Sequence, residues 1–301
     1  MAINFTKMNS QGNDFIVIDV AHEIFIENQD NIKKICSMGE VGCDQLLLIN
    51  TRDSSNVSCT IYNQDGSNAC QCGNGLRAIM LYLNKKFQIV ESTINVCDVD
   101  YRAQILDKDK ISVELGSPSF PGLAGKVHNT EDSSVTLEYA IVDVGNIHCV
   151  VATQHNEAQR DTIIKKLYSV CDEWFGKPNV TFILNAEAFK KDPTKHLKIK
   201  VKERGAGWTK SCGSGAVASA AFMIRYGLSD TKAGKHYLKA MENIWTNLQP
   251  PINVEQEGGV LEVSWNPGQM NLIGPEQLPN LQTSLRLLGP SEIEYDGVWN
   301  G

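Results

Sequence analysis

The chain has 301 residues, 21% of them charged, and a formal net charge of −7. That length holds two domains and a substantial core, and the acidic balance argues against a general nucleic-acid or anionic-membrane binder. The first fifteen residues lack a charged start followed by an apolar core, and no apolar run approaches spanning length, so a cytoplasmic protein is expected.

In chain order, residues 15–18 read as an apolar strand and residues 29–38 as a helix. Residues 46–49 form a buried strand, ended by the polar run 51–56. Val57, Cys59 and Ile61 then alternate with Ser58, Thr60 and Tyr62, which is half-buried strand periodicity. A helix-forming run, 76–81, follows. Two prolines and two glycines within 116–122 predict a domain linker. Beyond it come a strand over 137–144, a helix over 154–168 and a strand over 180–184. Leu197, Ile199 and Val201 alternate with three lysines, and the small-residue helix 216–221 follows. Residues 229–285 are less regular, and the strand-like tail 288–295 is a candidate to return to the first domain. Short mixed strands with helices in each half predict an α+β fold of two similar mixed domains, 1–118 and 119–285, with strand 286–301 rejoining the first.

The chemistry concentrates in two near-copies of one unit, Cys72-Gly73-Asn74-Gly75 and Cys212-Gly213-Ser214-Gly215, 140 residues apart. Each stands between a strand and a helix, and a thiol at a helix N-terminus is where cysteine acidity rises. Two such thiols, one from each half, suggest a pair facing across a cleft between the domains. One thiolate could take an α-proton while the opposite thiol returns one, which inverts the carbon. Backbone N–H groups of Gly73, Asn74, Gly213 and Ser214 could cradle the carboxylate beside that carbon. Each cysteine alone would be read as packing; it is the repeat that points to function. The chain has nine cysteines at scattered positions, and most are expected to be reduced and buried. Cys70 with Cys72 lacks the clustered partners of a structural zinc site, so no metal is expected.

Further blocks resemble the diaminopimelate epimerase family, in family order over nearly the whole chain. They are 8–15 around Asn13, Gly42-Cys43-Asp44-Gln45, and the run from Asn63 through Arg77. Gly145-Asn146-Ile147-His148, Asn179-Val180-Thr181-Phe182 and the specific run from Glu203 to Gly215 follow, with 289–297 matching the C-terminal strand. The resemblance implies that Cys72 and Cys212 are the base and acid of a cofactor-independent inversion. It also implies that Asn13, Gln45, Asn63, Asn146, Asn179 and Arg204 grip the far end of the substrate, a guanidinium and amides suiting a distal carboxylate and ammonium. Glu203 and His148 would lie near the reacting centre and tune the thiols. Glu203 stands nine residues before Cys212, as Asn63 does before Cys72. Asp14 and Asp44 read as loop-pinning acceptors, and Asp65-Gly66 as the turn that delivers Asn63. The implied activity converts LL-diaminopimelate to the meso form in the lysine and cell-wall precursor pathway, with a homodimer as the implied assembly.

Several positions depart from the family pattern: Ser10, Cys43, Cys70-Gln71, Ile147, Trp208 and, mildly, Thr181 and Ser214. Ile147 and Trp208 are expected to border the pocket, which leaves open a racemase of another amino acid, such as histidine. A catalytically dead binder would have no use for two opposed thiols. A pyridoxal phosphate enzyme needs a Schiff-base lysine, and none has a convincing setting.

Overall fold

The computed structural model describes residues 2–121, 124–128, 136–152, 157–228, 251–265, 270–271, 280–281 and 284–301. The chain divides into two compact units, Met1–Glu114 with Leu288–Gly301, and Leu115–Leu287.

Unit 1 contains β1 (Ile3–Asn9), β2 (Asp14–Asp19), α1 (Gln29–Cys36), β3 (Gln45–Asn50), β4 (Asn56–Asn63), β5 (Asn68–Ala69), α2 (Gly73–Phe87), β6 (Glu91–Val96), β7 (Val99–Asp107) and β8 (Lys110–Glu114). β1 pairs antiparallel with β2, β2 parallel with β3, and β3 antiparallel with β4. β4 in turn pairs antiparallel with β5 and parallel with β6, which pairs antiparallel with β7. The C-terminal strand, Glu292–Trp299, lies antiparallel on β1. Successive strand residues point to opposite faces. Ile16, Ile18, Leu46 and Leu48 therefore pack with Ile32, Ile35 and Cys36 of α1. Phe15 and Leu47 stand on the other face, against Gly75 of α2. Burial on both faces explains why β2 and β3 read as continuous apolar runs rather than alternating ones. Cys43 sits in the α1 layer, its thiol 3.2 Å from that of Cys36.

Unit 2 contains β9 (Ala124–His128), β10 (Thr136–Asp143), β11 (Ile147–Ala152), α3 (Glu157–Phe175), β12 (Asn179–Ile183), α4 (Ala186–Lys191), β13 (Leu197–Glu203), β14 (Gly207–Thr209) and α5 (Gly213–Phe222). A π-helical turn, Met223–Leu228, then β15 (Ile252–Gln256) and β16 (Gly259–Trp265) follow. The pairings repeat those of unit 1: β10 with β11 antiparallel, β11 with β12 parallel and β12 with β13 antiparallel. β13 pairs antiparallel with β14 and parallel with β15, and β15 antiparallel with β16. Tyr139, Ile141, Cys149, Val151, Val180 and Phe182 face Ile163, Ile164 and Leu167 of α3. α5 covers the opposite face, where a Cβ on Gly215 would meet Val201. The fold is α+β, built twice on one plan.

Three local readings need adjustment. The first helix stops at Cys36, with Ser37 extended after it, rather than reaching residue 38. The helix expected over 154–168 is longer and runs Glu157–Phe175; residues 154–156 lie outside the described residues. The segment read as a linker contributes Ser119, which exchanges backbone hydrogen bonds with Asp143 (2.8 and 2.9 Å). Within the irregular stretch 229–285, residues 251–265 form the β15–β16 hairpin, while 229–250 lie outside the described residues. Among the described residues, no helix is long and apolar enough to cross a membrane, and no group of three or more His, Cys, Asp or Glu is placed to hold a metal ion.

Candidate active site

Cys72 and Cys212 cap the N-termini of α2 and α5 with nearly the same backbone, φ −148° and ψ 101° against φ −131° and ψ 111°. In each, the sulfur accepts the N–H of the glycine three residues on, Gly75 at 3.3 Å and Gly215 at 3.4 Å. That is how an N-cap side chain satisfies one of the orphan donors of a helix start. The donors also act on charge, because the positive end of the helix dipole favours a negative sulfur. Glycine is required at 215, since a Cβ there would lie 2.8 Å from Val201 and 3.3 Å from the Cys212 sulfur.

In unit 1, hydrogen bonds join two pairs of the expected residues, one of them beside Cys72. Asn13 Oδ1 lies 4.0 Å from the Cys72 sulfur and accepts from Asn74 Nδ2 at 3.4 Å. Asp44 holds Asn13 in place, accepting its Nδ2 (3.0 Å) and the N–H of Asp14 (2.8 Å). Asp14 in turn accepts from Asn9 Nδ2 at 2.6 Å. Gln45 and Asn63 face each other across β3 and β4, and Gln45 Nε2 donates to Asn63 Oδ1 at 2.9 Å. The turn after Asn63 is shaped by Gly66 at φ +85° and by Asp65, which accepts both the N–H and hydroxyl of Ser67. Ser67 then accepts from Asn63 Nδ2 at 3.0 Å. Ser10, a departure from the family pattern, uses its hydroxyl to bond the Asn74 carbonyl and to meet Ser291.

Unit 2 holds a second set, of which Ser214, His148 and Asn146 connect to Cys212. His148 is fully buried; its Nδ1 lies 2.8 Å from Thr181 Oγ1 and its Nε2 2.9 Å from Ser214 Oγ. Ser214 Oγ is also 3.5 Å from the Cys212 sulfur and accepts from Asn146 Nδ2 at 3.4 Å. Burial pushes His148 down to about 3, so the imidazole is neutral near neutral pH and works as a hydrogen-bonding element, not a charge. Thr181 and Ser214 are thus the two ends of the His148 chain. Asn179 Oδ1 accepts the backbone N–H of Arg204 at 2.8 Å, and the Arg204 side chain is exposed. Glu203 accepts from Thr209 Oγ1 at 2.6 Å. Hydrogen bonds join these residues in small groups within each unit: Asn13 with Asn74, Gln45 with Asn63, Asn146 with Ser214 and His148, and Asn179 with Arg204.

Trp208 and Ile147 do not stand where the sequence suggested. Both pack against the α3 core cluster. Trp208 lies opposite Lys202 in the β13–β14 register, 6.0 Å from the Phe182 ring and 5.0 Å from Lys202 Nζ. Strand alternation places His148, Thr181 and Thr209 on the other face, that of α5. Neither Trp208 nor Ile147 therefore shares a strand face with His148.

Three contributors escaped the sequence. Gln256, buried on β15, clamps the Cys212 peptide: its Oε1 accepts the N–H at 2.8 Å and its Nε2 donates to the C=O at 3.3 Å. Forty-four residues separate the partners, and no local pattern marks them. Cys70 and Cys97 form a disulfide, against the expectation of reduced thiols, with Cα atoms 5.3 Å apart. Cys36, Cys43, Cys59, Cys72, Cys149 and Cys212 form no disulfide among the described residues. Arg77, quoted in the third block without a role, is fully buried.

The description "Diaminopimelate epimerase" belongs to the family model that matches residues 5–121 and 140–275. The chain is 28% identical over 311 residues to a diaminopimelate epimerase of Blochmanniella floridana, covering 99% of this chain and 100% of the relative. It is 30% identical over 315 residues to that of Coxiella burnetii (strain Dugway 5J108-111), covering 99% of both. Among solved structures, a PhzF-family phenazine biosynthesis protein of Bacillus anthracis aligns with a TM-score of 0.64 at 12% identity, over 99% of each chain. A hydroxyproline epimerase of Agrobacterium vitis, with bound trans-4-hydroxy-L-proline, aligns with a TM-score of 0.63 at 10% identity, over 99% of this chain and 91% of that one. These distant structures share the fold. The chain belongs to the diaminopimelate epimerase family and is an isomerase that epimerises amino acids.

Proposed function

We propose that the protein converts LL-2,6-diaminopimelate to meso-diaminopimelate by two-base inversion. One sulfur, as thiolate, removes the α-proton; the other, as thiol, delivers a proton to the opposite face of the carbon, so the pair exchanges ionisation states in each turnover. The two roles reverse for the reverse reaction. The observation that carries the reading is the matched pair of N-capping cysteines, each with its sulfur on a glycine N–H at the head of a helix. First-turn N–H groups of Gly73, Asn74, Gly213 and Ser214 are assigned to the carboxylate beside the reacting carbon, where donors preorganised for developing charge contribute most. Asn13, Gln45, Asn63, Asn146, Asn179 and Arg204 are assigned to the distal ammonium and carboxylate, with Glu203 and His148 beside the reacting centre. Because Trp208 and Ile147 pack against α3, the departures that favoured another amino acid lose their force. The homodimer implied by the family resemblance belongs to this proposal, and sedimentation tests it.

Incubation in heavy water with diaminopimelate, histidine and other amino acids, read by proton NMR, tests both reaction and substrate. Deuterium is expected at one α-carbon of diaminopimelate. Cys72→Ala and Cys212→Ala are each expected to lower turnover by about a thousandfold or more with an unchanged circular dichroism spectrum. Near wild-type turnover in either variant would overturn the mechanism, and exchange with a monocarboxylate alone would overturn the substrate.

A further inference from the structure

Gln256 closes β15, and its side chain reaches one residue of the site twice. Oε1 accepts the Cys212 N–H at 2.8 Å, and Nε2 donates to the Cys212 carbonyl at 3.3 Å. That carbonyl also accepts the first intrahelical bond of α5, from the Ala216 N–H at 3.0 Å. Peptide units are planar, so the two planes that flank a residue fix its φ and ψ. With both planes held, χ1 is the torsion left to the Cys212 sulfur, and the bond from the Gly215 N–H at 3.4 Å sets it. Two residues beyond Gln256, the Gly258 N–H donates to the Lys210 carbonyl at 2.8 Å. The β15–β16 turn thus holds the segment from 210 to 212 at both ends.

Unit 1 shows what the scaffold asks for at this place. Val57 and Leu197 each stand fifteen residues before their cysteine. They pair, in the same parallel register, with Ile94 of β6 and Val254 of β15. Two residues further on, β6 has Val96 and β15 has Gln256, and both are buried, 1% and 8% exposed. The shared plan therefore accepts an aliphatic side chain here. A buried carboxamide in its place costs free energy unless its polar atoms are bonded, and in unit 2 both of them bond Cys212. The amide serves the thiol segment, not the sheet.

We propose that Gln256 is a positioning residue of the epimerisation, which fixes the Cys212 backbone, and through it the sulfur, without touching substrate. The proposal rests on the reading of Cys212 as one of two catalytic thiols.

Gln256→Val installs the side chain that unit 1 carries in this register. It is expected to lower kcat about tenfold with KM within about twofold, because a displaced sulfur slows proton transfer and leaves substrate binding alone. Gln256→Glu keeps an acceptor for the Cys212 N–H and is expected to recover part of that loss. Iodoacetamide alkylation against pH without substrate, followed by peptide mass spectrometry, reads both thiols in one sample. In Gln256→Val the Cys212 midpoint is expected to rise by about half a pH unit, as the sulfur drifts from the helix N-terminus, while the Cys72 midpoint stays. A folded Gln256→Val protein with an unchanged kcat or an unmoved Cys212 midpoint overturns the proposal, and so does an equal shift at Cys72. Should that variant not fold, amide hydrogen exchange of the wild type decides. The Cys212 N–H is expected to be protected like the amides of β13, and exchange as fast as in an exposed loop overturns the proposal. Loss of turnover in Cys212→Ala beside an unchanged Gln256→Val sinks this proposal alone, whereas full turnover in Cys212→Ala sinks the two-thiol reading and this proposal with it.

Discussion

At the end of β6, Cys97 is bonded covalently to Cys70, two residues ahead of Cys72. At the end of β15, Gln256 holds the Cys212 peptide by two side-chain hydrogen bonds, and the nearby Gly258 N–H donates to the carbonyl of Lys210, two residues ahead of Cys212. The two junctions share their pairing plan, their cap geometry and the glycine donor to the sulfur. They differ in what fastens the strand end to the cysteine segment, and in the buried polar side chains of each unit. Unit 1 supplies a buried guanidinium; unit 2 supplies a neutral chain of Ser214, His148 and Thr181. A duplicated scaffold thus keeps the geometry constant and lets fastening and electrostatics diverge, because backbone pairing sets the first and a few buried side chains set the second.

The largest stability effect is expected from breaking the covalent fastening. The disulfide spans 27 residues of sequence, a loop for which chain-entropy reasoning gives about 3–4 kcal/mol. Cys97→Ser, or the wild type in reductant, should lower the urea unfolding midpoint accordingly; equal midpoints with and without reductant would mean the bond does not constrain the unit.

Gln256→Ala should cost less, about 1–3 kcal/mol, chiefly by leaving the buried Cys212 N–H without its acceptor. It should also reduce kcat more than it raises KM, since the clamp holds a sulfur and not the substrate. A drop in stability with unchanged kcat would separate fastening from catalysis and weaken the parallel between the halves.

The last effect depends on pH and vanishes near neutrality. His148 is held near 3 by burial, below its ordinary value of 6.5. As pH falls from about 6.5 toward 3, the unfolded chain binds this proton and the folded one does not, so folding stability falls by up to about 1.4 kcal/mol per pH unit from this group. His148→Gln should show a shallower loss between pH 6.5 and 4.5 in urea titrations. An identical slope would mean that the imidazole is protonated in the folded protein.

Much of this was legible in the residues. Alternation at 57–62 and 197–202 marks β4 and β13, and the repeated Cys-Gly-x-Gly marks the two helix starts, because periodicity and capping are local properties of the chain. The turn residues Asp65 and Gly66, and the acceptors Asp14 and Asp44, have their partners close by in sequence or in adjoining loops, so their structural roles could be read as well. Trp208 was not legible in the same way. Its position four residues before Cys212 suggested a place beside the site, but strand alternation turns it toward α3, and the face a strand residue takes depends on register with its neighbours.

By itself, then, the order of residues determined the α+β class, the doubled plan and the two capping thiols, since these follow from short-range patterns of polarity and chain stiffness. Folding in three dimensions decided the rest: that Gln256 grips Cys212 across 44 residues, that Cys70 finds Cys97, and that Arg77 is sealed in unit 1 while Val217 holds the matching position. Such pairings connect segments that no local rule relates, and only burial beside one another makes a hydrogen bond, a disulfide or an enclosed charge count.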